Sequence, residues 1–356
     1  MSRLPQPLGR TGSGRILFFT GARQSRSSRI LPVFLPFLGC PGHCVYCAQD
    51  KQTGHTGSEG LRAILAEAAK NAAALPPCGP QERRELAFYG GTFTALPAAD
   101  RASCFELLEA LRREDRIRLA RCSTRPDALS PAVLDELLHH GVDLVELGIQ
   151  SFASEALALS RRGYDRSAAL AGCRAVTGAG LSLGIQLLPG MPGSTPDVFL
   201  DDVRTALSLS PACLRFYPCL VPEGTTLARW FREGRFAPWT VEQTVRTLGE
   251  ALNMAWQAQV PVIRLSVAPE SAFDAALLAG PRHPALGALI QAEALLRAAE
   301  NAVNALGRAP ERLTLPQSCQ GFMYGDRGAL KPRWQALGLS PERIAFAREA
   351  PVAELV

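Results

Sequence analysis

The chain has 356 residues, of which 47% are apolar and 20% charged, and its formal net charge is +5. This length and apolar content predict one large domain or two ordinary ones with a sizeable core, and the small charge is that of an ordinary soluble enzyme with a weak preference for polyanions. The apolar run 30–38 contains Pro32 and Pro36 and is too short to span a bilayer, which excludes a membrane span there.

The first predicted segment is a basic N-terminal arm over residues 1–29. No acidic residue occurs before Asp50, whereas the arm carries six arginines: Arg3, Arg10, Arg15, Arg23, Arg26 and Arg29. Such an arm could lie along phosphates. The commoner alternative is a solvated, poorly ordered terminus. Because the arm lacks the long apolar run of a secretion signal, we expect a cytoplasmic protein whose ten cysteines stay reduced.

From residue 30 to residue 267, short strand-like runs alternate with longer helical ones. The predicted strands are 30–37, 85–90, 116–122, 142–150, 181–188, 213–221 and 260–267. The predicted helices are 61–75, 101–114, 131–140, 166–180, 197–209 and 241–257. Alternation with short connections requires parallel neighbours joined by right-handed crossovers. The predicted fold class is therefore α/β, with a partial or complete parallel (β/α) barrel over residues 30–267.

The alternation weakens after residue 268. A helix is predicted over 284–305, and a tail punctuated by Gly and Pro follows to Val356. We expect residues 268–356 to form a mostly helical C-terminal extension that packs on the barrel and is not a separate domain.

Polar and glycine-rich segments follow the first five predicted strands. They are the cysteine loop 39–47, then 90–92, 123–127, 150–151 and 189–193. Catalytic residues of (β/α) barrels lie where strands end and loops begin. We therefore expect these five segments to outline one mouth.

Cys40, Cys44 and Cys47 form a C-x3-C-x2-C motif on the first of these loops. Three thiolates can hold three irons of a cubic cluster and leave the fourth open, and an open position marks a reactive metal. The alternative is zinc with His43 or His55 as fourth ligand, although the usual zinc pattern pairs two C-x-x-C knuckles. The other seven cysteines lie mostly among apolar neighbours, which predicts core positions.

This cysteine motif, with the aromatic Tyr46 before its last member, resembles the signature of the radical S-adenosylmethionine (radical SAM) superfamily. The resemblance implies that Cys40, Cys44 and Cys47 hold a [4Fe–4S] cluster whose fourth iron binds S-adenosylmethionine. It also implies an enzyme in which reductive cleavage gives a 5′-deoxyadenosyl radical that abstracts hydrogen from a substrate. A reductant such as flavodoxin or ferredoxin is then an expected partner.

The same resemblance assigns the cofactor contacts. The segment 90–92 is similar to the glycine motif whose backbone meets the methionyl amino group. Gln150 and Arg162 lie where relatives contact the ribose and the carboxylate, and a guanidinium fork suits a carboxylate. A solvated charge is the alternative for Arg162. Ser123 stands where close relatives often carry glutamate. The implied contacts are Tyr46, Gly90, Gly91, Thr92, Ser123, Gln150 and Arg162.

A longer resemblance covers most of the barrel. Residues 89–97, 123–127, 145–151, 161–165, 187–197, 215–240 and 263–286 are similar to the radical SAM domain of the Elongator catalytic subunit and its prokaryotic homologues. Those proteins install a carboxymethyl-type group on the wobble uridine of tRNA, using a C-terminal acetyltransferase domain. Here no such domain is visible after residue 268, and the cysteine motif is tighter. The resemblance therefore implies tRNA or another RNA as the candidate substrate and leaves the reaction open.

Two further functions remain open. One is radical SAM chemistry on a small metabolite or porphyrin, since oxygen-independent coproporphyrinogen oxidase resembles much of the same barrel pattern. The other, from a different class, is an iron–sulfur binding or electron-transfer protein. The glycine motif and Gln150 argue against a carrier, because a carrier needs no methionine site.

Overall fold

The computed structural model describes residues 8–10, 15–18, 29–49, 60–267, 271–348 and 353–356. His55 and three arginines of the N-terminal arm, Arg3, Arg23 and Arg26, lie outside the described residues. Among the described residues, no helix is long and apolar enough to cross a bilayer.

The described strands and helices follow the predicted alternation. The strands are β1 (Leu8–Arg10), β2 (Ile16–Phe18), β3 (Ile30–Leu35), β4 (Glu85–Gly90), β5 (Leu119–Thr124), β6 (Leu144–Gln150), β7 (Ser182–Leu187), β8 (Cys213–Phe216), β9 (Val221–Pro222), β10 (Val262–Arg264), β11 (Leu277–Ala279), β12 (Leu313–Pro316), β13 (Ile344–Ala347) and β14 (Ala353–Leu355). The α-helices are α1 (Leu61–Ala73), α2 (Ala98–Arg113), α3 (Pro131–His139), α4 (Ser154–Leu159), α5 (Arg166–Gly178), α6 (Pro196–Ser208), α7 (Thr226–Arg232), α8 (Val241–Gln257), α9 (Ser271–Ala275), α10 (Leu286–Leu306) and α11 (Lys331–Ala336).

Seven parallel strands form the main sheet, in the order β10-β8-β7-β6-β5-β4-β3. Helices separate consecutive strands along the chain, and most residues of the central strands β5 and β6 are buried, as expected when a sheet is covered on both faces. This sheet confirms the predicted α/β partial barrel. Within the described part of the chain, β3 and β10 are its two free edges.

Side-chain caps explain where several helices begin. Ser130, Asp165, Thr195, Thr225 and Thr240 each accept a hydrogen bond from the backbone N–H three residues further on. Such a cap satisfies an N–H group that has no partner inside the helix. Each cap lies between a strand and the helix that follows it, or between consecutive helices, so it also fixes the length of the connecting loop.

A second, five-stranded sheet joins the two ends of the chain, in the order β1-β2-β14-β12-β13. β2 pairs antiparallel with β14, and Ile16 and Phe18 of β2 are only 2% and 3% exposed. The C-terminal extension is helical in α10, which packs on α8, but it also supplies β12, β13 and β14. These strands are three or four residues long, too short for their sequence to show a periodic pattern.

Some boundaries differ from the prediction for local reasons. The strand predicted over 213–221 ends as β8 at Phe216, and Pro218 beyond it has no N–H to donate to a ladder. The strand predicted over 116–122 starts only at Leu119. Just before it, the backbone N–H of Arg118 donates to the carbonyl oxygen of Arg84 at 2.8 Å. Helices α4 and α7 were not predicted, since six or seven residues make fewer than two helical turns and show no repeated apolar pattern.

Candidate cluster and cofactor site

A cavity of about 530 Å³ lies at the carboxyl ends of the parallel strands. All ten residues that the sequence singled out line it: Cys40, Cys44, Tyr46, Cys47, Gly90, Gly91, Thr92, Ser123, Gln150 and Arg162. Because they follow different strands, the sheet brings together what the sequence separates by more than 120 positions. The other seven cysteines are all buried, as predicted.

The cysteine loop is held from two sides. Its first turn places Phe37 and Gly39 in the left-handed region, with φ of 58° and 73°, and Cys40 N donates to Phe37 O at 3.0 Å. Between the last two cysteines, Val45 is buried against an apolar cluster that includes Leu227 of α7. Leu227 N also donates to Val45 O at 2.8 Å. The loop is therefore anchored to the barrel through Val45.

The three thiols lie partly buried and close to one another. Cys40 Sγ is 3.3 Å from Thr92 Oγ1, and Cys44 Sγ is 3.0 Å from Arg162 Nη1. Burial, and then the neighbouring Cys44 and Cys40, raise the pKa of the Cys47 thiol to about 12. Three neighbouring thiolates repel one another, so positive charge is needed to stabilise them together. A metal centre bound by the thiolates would supply it.

The donor set fits a cubic cluster better than a single ion. Among the described residues, no three His, Cys, Asp or Glu side chains converge closely enough to hold one metal ion. In a cluster each cysteine binds a different iron, so the three sulfurs need not meet at one point. The ring of His43 is exposed and lies 4.5 Å from that of Phe37. These observations argue against the zinc alternative with His43, and His55 is outside the described residues.

The glycine segment after β4 packs directly on the cysteine loop. Gly91 N donates to Leu35 O at 2.9 Å, and Thr92 N donates to Leu38 O at 2.8 Å. A Cβ atom at position 91 would lie 2.0 Å from Leu38 O, which is backbone and cannot move aside easily. Gly90 has a φ of 105°, which side chains disfavour. Close backbone approach is thus the reason for glycine at position 91, and the positive φ is the reason for glycine at position 90.

Arg162 is a buried charge with three protein partners. It is 7% exposed, which excludes a solvated surface charge. Its Nε donates to Tyr164 Oη at 3.0 Å, its Nη2 to Gly148 O at 2.6 Å, and its Nη1 to Cys44 Sγ. Burial lowers the pKa of Arg162, but Tyr46, Tyr164 and Cys44 together raise it above its ordinary value. Two of the five guanidinium N–H donors remain for a ligand.

Tyr46 also leaves a polar atom for a ligand. Its hydroxyl is buried and has no hydrogen-bond partner among the described residues. Burial raises the pKa of Tyr46 well above its ordinary value, so the phenol stays protonated. A buried hydroxyl without a partner is costly, and a polar group of a bound molecule would satisfy it.

Gln150 lies on a strained turn that a buried carboxylate stabilises. Gln150 has a φ of 68°, rare for a residue with a side chain. Asp202 of α6 accepts hydrogen bonds from Ser151 Oγ at 2.6 Å and from Phe152 N at 2.7 Å, and so fixes the turn from behind. The sequence did not indicate Asp202, because it lies within the amphipathic pattern of α6 with no motif around it.

Ser123 contacts a buried polar network beneath the cavity. Gln186 Nε2 donates to Ser123 Oγ at 3.1 Å and to Glu146 Oε2 at 2.8 Å. Glu146 is fully buried and accepts from Arg121 Nη1 at 2.7 Å and from Arg215 Nη2 at 2.9 Å. This network was not predicted from the sequence. Charged residues inside otherwise apolar strands were the available signal.

Comparisons with known proteins agree with this geometry. The sequence matches the Radical SAM superfamily over residues 34–206 and the Radical_SAM C-terminal domain over residues 211–296. Two similar curated proteins are both tRNA uridine(34) acetyltransferases. The one from Methanocaldococcus infernus is 30% identical over 49% of this chain, and the one from Dehalococcoides mccartyi is 28% identical over 57%. The chain spans 36% and 51% of their respective lengths.

A solved structure shares the fold. The archaeal Methanocaldococcus infernus Elp3 with an N-terminal deletion aligns with a TM-score of 0.57 at 21% identity, over 74% of this chain and 61% of that one. The two domain matches together cover most of the chain, including the cysteine loop and the strand ends that line the cavity. The protein belongs to the radical SAM superfamily, and it is an enzyme of that type whose cofactors are a [4Fe–4S] cluster and S-adenosylmethionine.

Proposed function

We propose that this enzyme cleaves S-adenosylmethionine reductively at a [4Fe–4S] cluster held by Cys40, Cys44 and Cys47, and that its substrate is an RNA, with tRNA the first candidate. The observation that supports the cofactor part is the convergence of three partly buried thiols and a buried guanidinium, Arg162, on one cavity. An electron-transfer protein would need the thiols but not the rest of this lining.

The residues of the chain bind and orient the cofactors. When bound, the reduced cluster supplies the electron that splits S-adenosylmethionine into methionine and a 5′-deoxyadenosyl radical. Arg162 has two N–H donors left for the methionyl carboxylate, and burial strengthens such a charge-assisted bond. The segment 90–92 would bind the amino group, Gln150 the ribose and Tyr46 the adenine. Ser123 would contribute to the cofactor site by accepting a hydrogen bond from Gln186, which also lines the cavity.

The RNA part is supported by similarity and by charge. The similar curated proteins are named for a tRNA uridine. Arg125, Arg162, Arg215 and Arg264 line the cavity, whose lining contains no acidic residue among the described ones. Asp127 and Glu146 pair with Arg125 and Arg215, but neither acid lines the cavity. A lining whose described charged residues are all arginines favours an anionic substrate. A reductant such as flavodoxin or ferredoxin, and a reducing cytoplasmic location that spares the free thiols, complete the proposal.

The test is anaerobic reconstitution with iron and sulfide, followed by reduction and measurement of 5′-deoxyadenosine with and without total tRNA. We expect 5′-deoxyadenosine in both reactions and more of it with tRNA, because a bound substrate consumes the radical productively. Failure to form any 5′-deoxyadenosine would contradict the proposed chemistry. The small-molecule alternative would be favoured by a different result. In that case tRNA would leave the amount of 5′-deoxyadenosine unchanged, and a pool of small metabolites or porphyrinogens would increase it.

A further inference from the structure

The cavity also reaches the two strands that lie at the ends of the main sheet. There it is lined by Ile30, Pro32 and Phe34 of β3 and by Arg264 of β10. These strands are the two edges of the sheet in the described part of the chain. Pro32 has no N–H, so this edge is a poor site for another strand to pair. A molecule could therefore reach the cofactor side of the cavity through the opening between these edges without competing with strand pairing.

Arg264 differs from the other arginines of the cavity. Arg125 is paired with Asp127 at 2.8 Å, and Arg215 donates to Glu146 at 2.9 Å. Arg162 has the three partners described above. Arg264 is exposed and forms no hydrogen bond or ion pair with any residue that the structure describes. It lies opposite Arg215 in the β10–β8 register, so the two side chains leave the same face of the sheet.

Aromatic rings line the same cavity as Arg264. The Tyr217 hydroxyl accepts from Arg215 Nη1 at 2.8 Å, and the Arg215 guanidinium lies 4.9 Å from the centre of the Tyr89 ring. The ring of Phe34 is 6.2 Å from that of Tyr89. Both tyrosines and Phe34 are partly exposed to the cavity. Tyr217 is thus a ring held in place by a buried arginine. The neighbouring strand β10 carries Arg264, which has no partner among the described residues.

An aromatic ring and a guanidinium without a partner in the described part of the chain together match the two chemical parts of a nucleotide. Unstacked bases of single-stranded RNA bind by stacking on aromatic rings, and phosphates bind arginine through two parallel hydrogen bonds. A carboxylate-bearing metabolite would use the arginine but would have less use for the rings. The absence of acidic residues from the described lining favours the phosphate of a nucleic acid over a cationic ligand.

We propose that the opening between β3 and β10 admits one nucleotide of a single-stranded RNA segment, with Arg264 binding its phosphate and Tyr217 stacking on its base. This inference rests on the proposed function in taking RNA as the substrate. It adds where the RNA enters and which residues select a nucleotide.

The test measures binding of a hairpin RNA with a single-stranded loop by fluorescence anisotropy across several salt concentrations. Each phosphate contact makes the slope of log K against log salt more negative by about 0.7 for a single strand. Arg264→Ala should therefore make the slope less steep by about that amount, and Arg264→Lys should keep the slope of the wild-type protein. Tyr217→Phe should keep the affinity, whereas Tyr217→Leu should weaken it about five- to a hundredfold. Arg308→Ala is the matched control, because Arg308 is half exposed and pairs with Glu311 outside the cavity.

The proposal is overturned if Arg264→Ala binds the hairpin with the slope and affinity of the wild-type protein, or if the wild-type protein binds no RNA. S-adenosylmethionine affinity is measured in parallel. A loss of that affinity in Arg264→Ala equal to its loss of RNA binding would assign Arg264 to the cofactor and contradict the proposal. RNA-independent formation of 5′-deoxyadenosine by a protein that binds no RNA would refute this inference while the radical chemistry of the proposed function stands.

Discussion

The Nη1 atom of Arg162 lies 3.0 Å from the Sγ atom of Cys44. The same guanidinium donates to the carbonyl oxygen of Gly148 on β6, so one side chain joins the cysteine loop to a central strand of the sheet. A cation next to a cysteine stabilises its thiolate, the form that binds iron. Arg162 can therefore act on both cofactors, on the cluster through Cys44 and on S-adenosylmethionine through its remaining donors.

Replacing Arg162 by Ala should weaken S-adenosylmethionine binding about ten- to a hundredfold. A charge-assisted hydrogen bond at a buried site typically contributes about 1.5–3 kcal/mol. Isothermal titration calorimetry on the anaerobically reconstituted protein measures this affinity. The control is Arg161→Ala, because Arg161 is the exposed neighbour. Unchanged affinity in the Arg162 variant would show that this arginine does not contact the cofactor.

Each of the variants Cys40→Ala, Cys44→Ala and Cys47→Ala should lose the cluster. The wild-type protein should take up about four irons per chain on anaerobic reconstitution, and its cluster should bleach in air. Iron analysis and visible absorption measure both properties. Cys122→Ala is the control, since Cys122 is fully buried in β5 and away from the loop. Stoichiometric zinc in place of iron would refute the assignment.

Gly91→Ala should reduce iron uptake by displacing the cysteine loop. The added Cβ would lie 2.0 Å from Leu38 O, and only a backbone shift can relieve that contact. Gly178→Ala is the matched control, because a Cβ at that position, at the end of α5, meets no atom within 4 Å. Iron content after reconstitution and the melting temperature are compared. Equal values for both variants would mean that the approach of Gly91 to the loop is unimportant for the site.

Asp202 should make stability fall as pH rises. Burial raises the pKa of Asp202 to about 6, although hydrogen bonds from Ser151 and Phe152 lower it. Because the unfolded carboxyl has a pKa near 3.9, the folded state holds the proton more tightly. The stabilising contribution is therefore full below about pH 4 and is lost as pH rises through about 6.

The Asp202→Asn variant lacks this titration. Between about pH 5 and pH 7, the free energy of unfolding of the wild-type protein should fall relative to that of the variant, by on the order of 1–2 kcal/mol. Urea unfolding followed by circular dichroism measures it. Asp201→Asn, at the exposed neighbouring position, should behave as the wild type does. A parallel pH dependence of the wild-type and Asp202→Asn proteins would contradict the prediction.

The basic arm is tested by neutralising arginines, because deletion of residues 1–28 would also remove Ile16 and Phe18 from the core. Arg15 is left unchanged, since it pairs with Glu354 at 2.7 Å. If the arm lies along phosphates, changing Arg3, Arg23, Arg26 and Arg29 to Gln should lower the salt slope of tRNA binding by about 0.7–0.9 for each phosphate that the arm no longer neutralises. Filter binding measures the slope. Equal salt slopes for the wild-type protein and the variant would identify the arm as a solvated segment without a role in RNA binding.

The main sheet could be predicted from the sequence because its signals are local. β4 and α8 have the predicted bounds, since each is a run of apolar character between clear turn or cap residues. The second sheet could not be predicted. β2 and β14 are three residues each and pair across more than 330 positions, so no local pattern marks either.

The candidate site shows the same division between local and distant signals. The cysteines and glycines stand out by their spacing, and so the sequence alone could indicate them. Asp202 and Glu146 act through partners on other elements, at positions that only the folded sheet brings near. Arg264 lies within a segment that resembles the Elongator catalytic subunit, but only the folded structure shows that none of the described residues pairs with its guanidinium.

The pairing of β2 with β14 sets an order of events during synthesis. The partner strand of β2 is synthesised more than 330 residues after β2 itself. At a bacterial or eukaryotic rate of about 5–20 residues per second, Ile16 and Phe18 wait roughly 20–70 s for the strand that covers them. The parallel sheet can assemble in that interval, because its strands pair with neighbours close in sequence. The second sheet can therefore be completed only after the main sheet, and until then β2 has β1 on one side but leaves its other edge, and its apolar side chains, exposed to a chaperone.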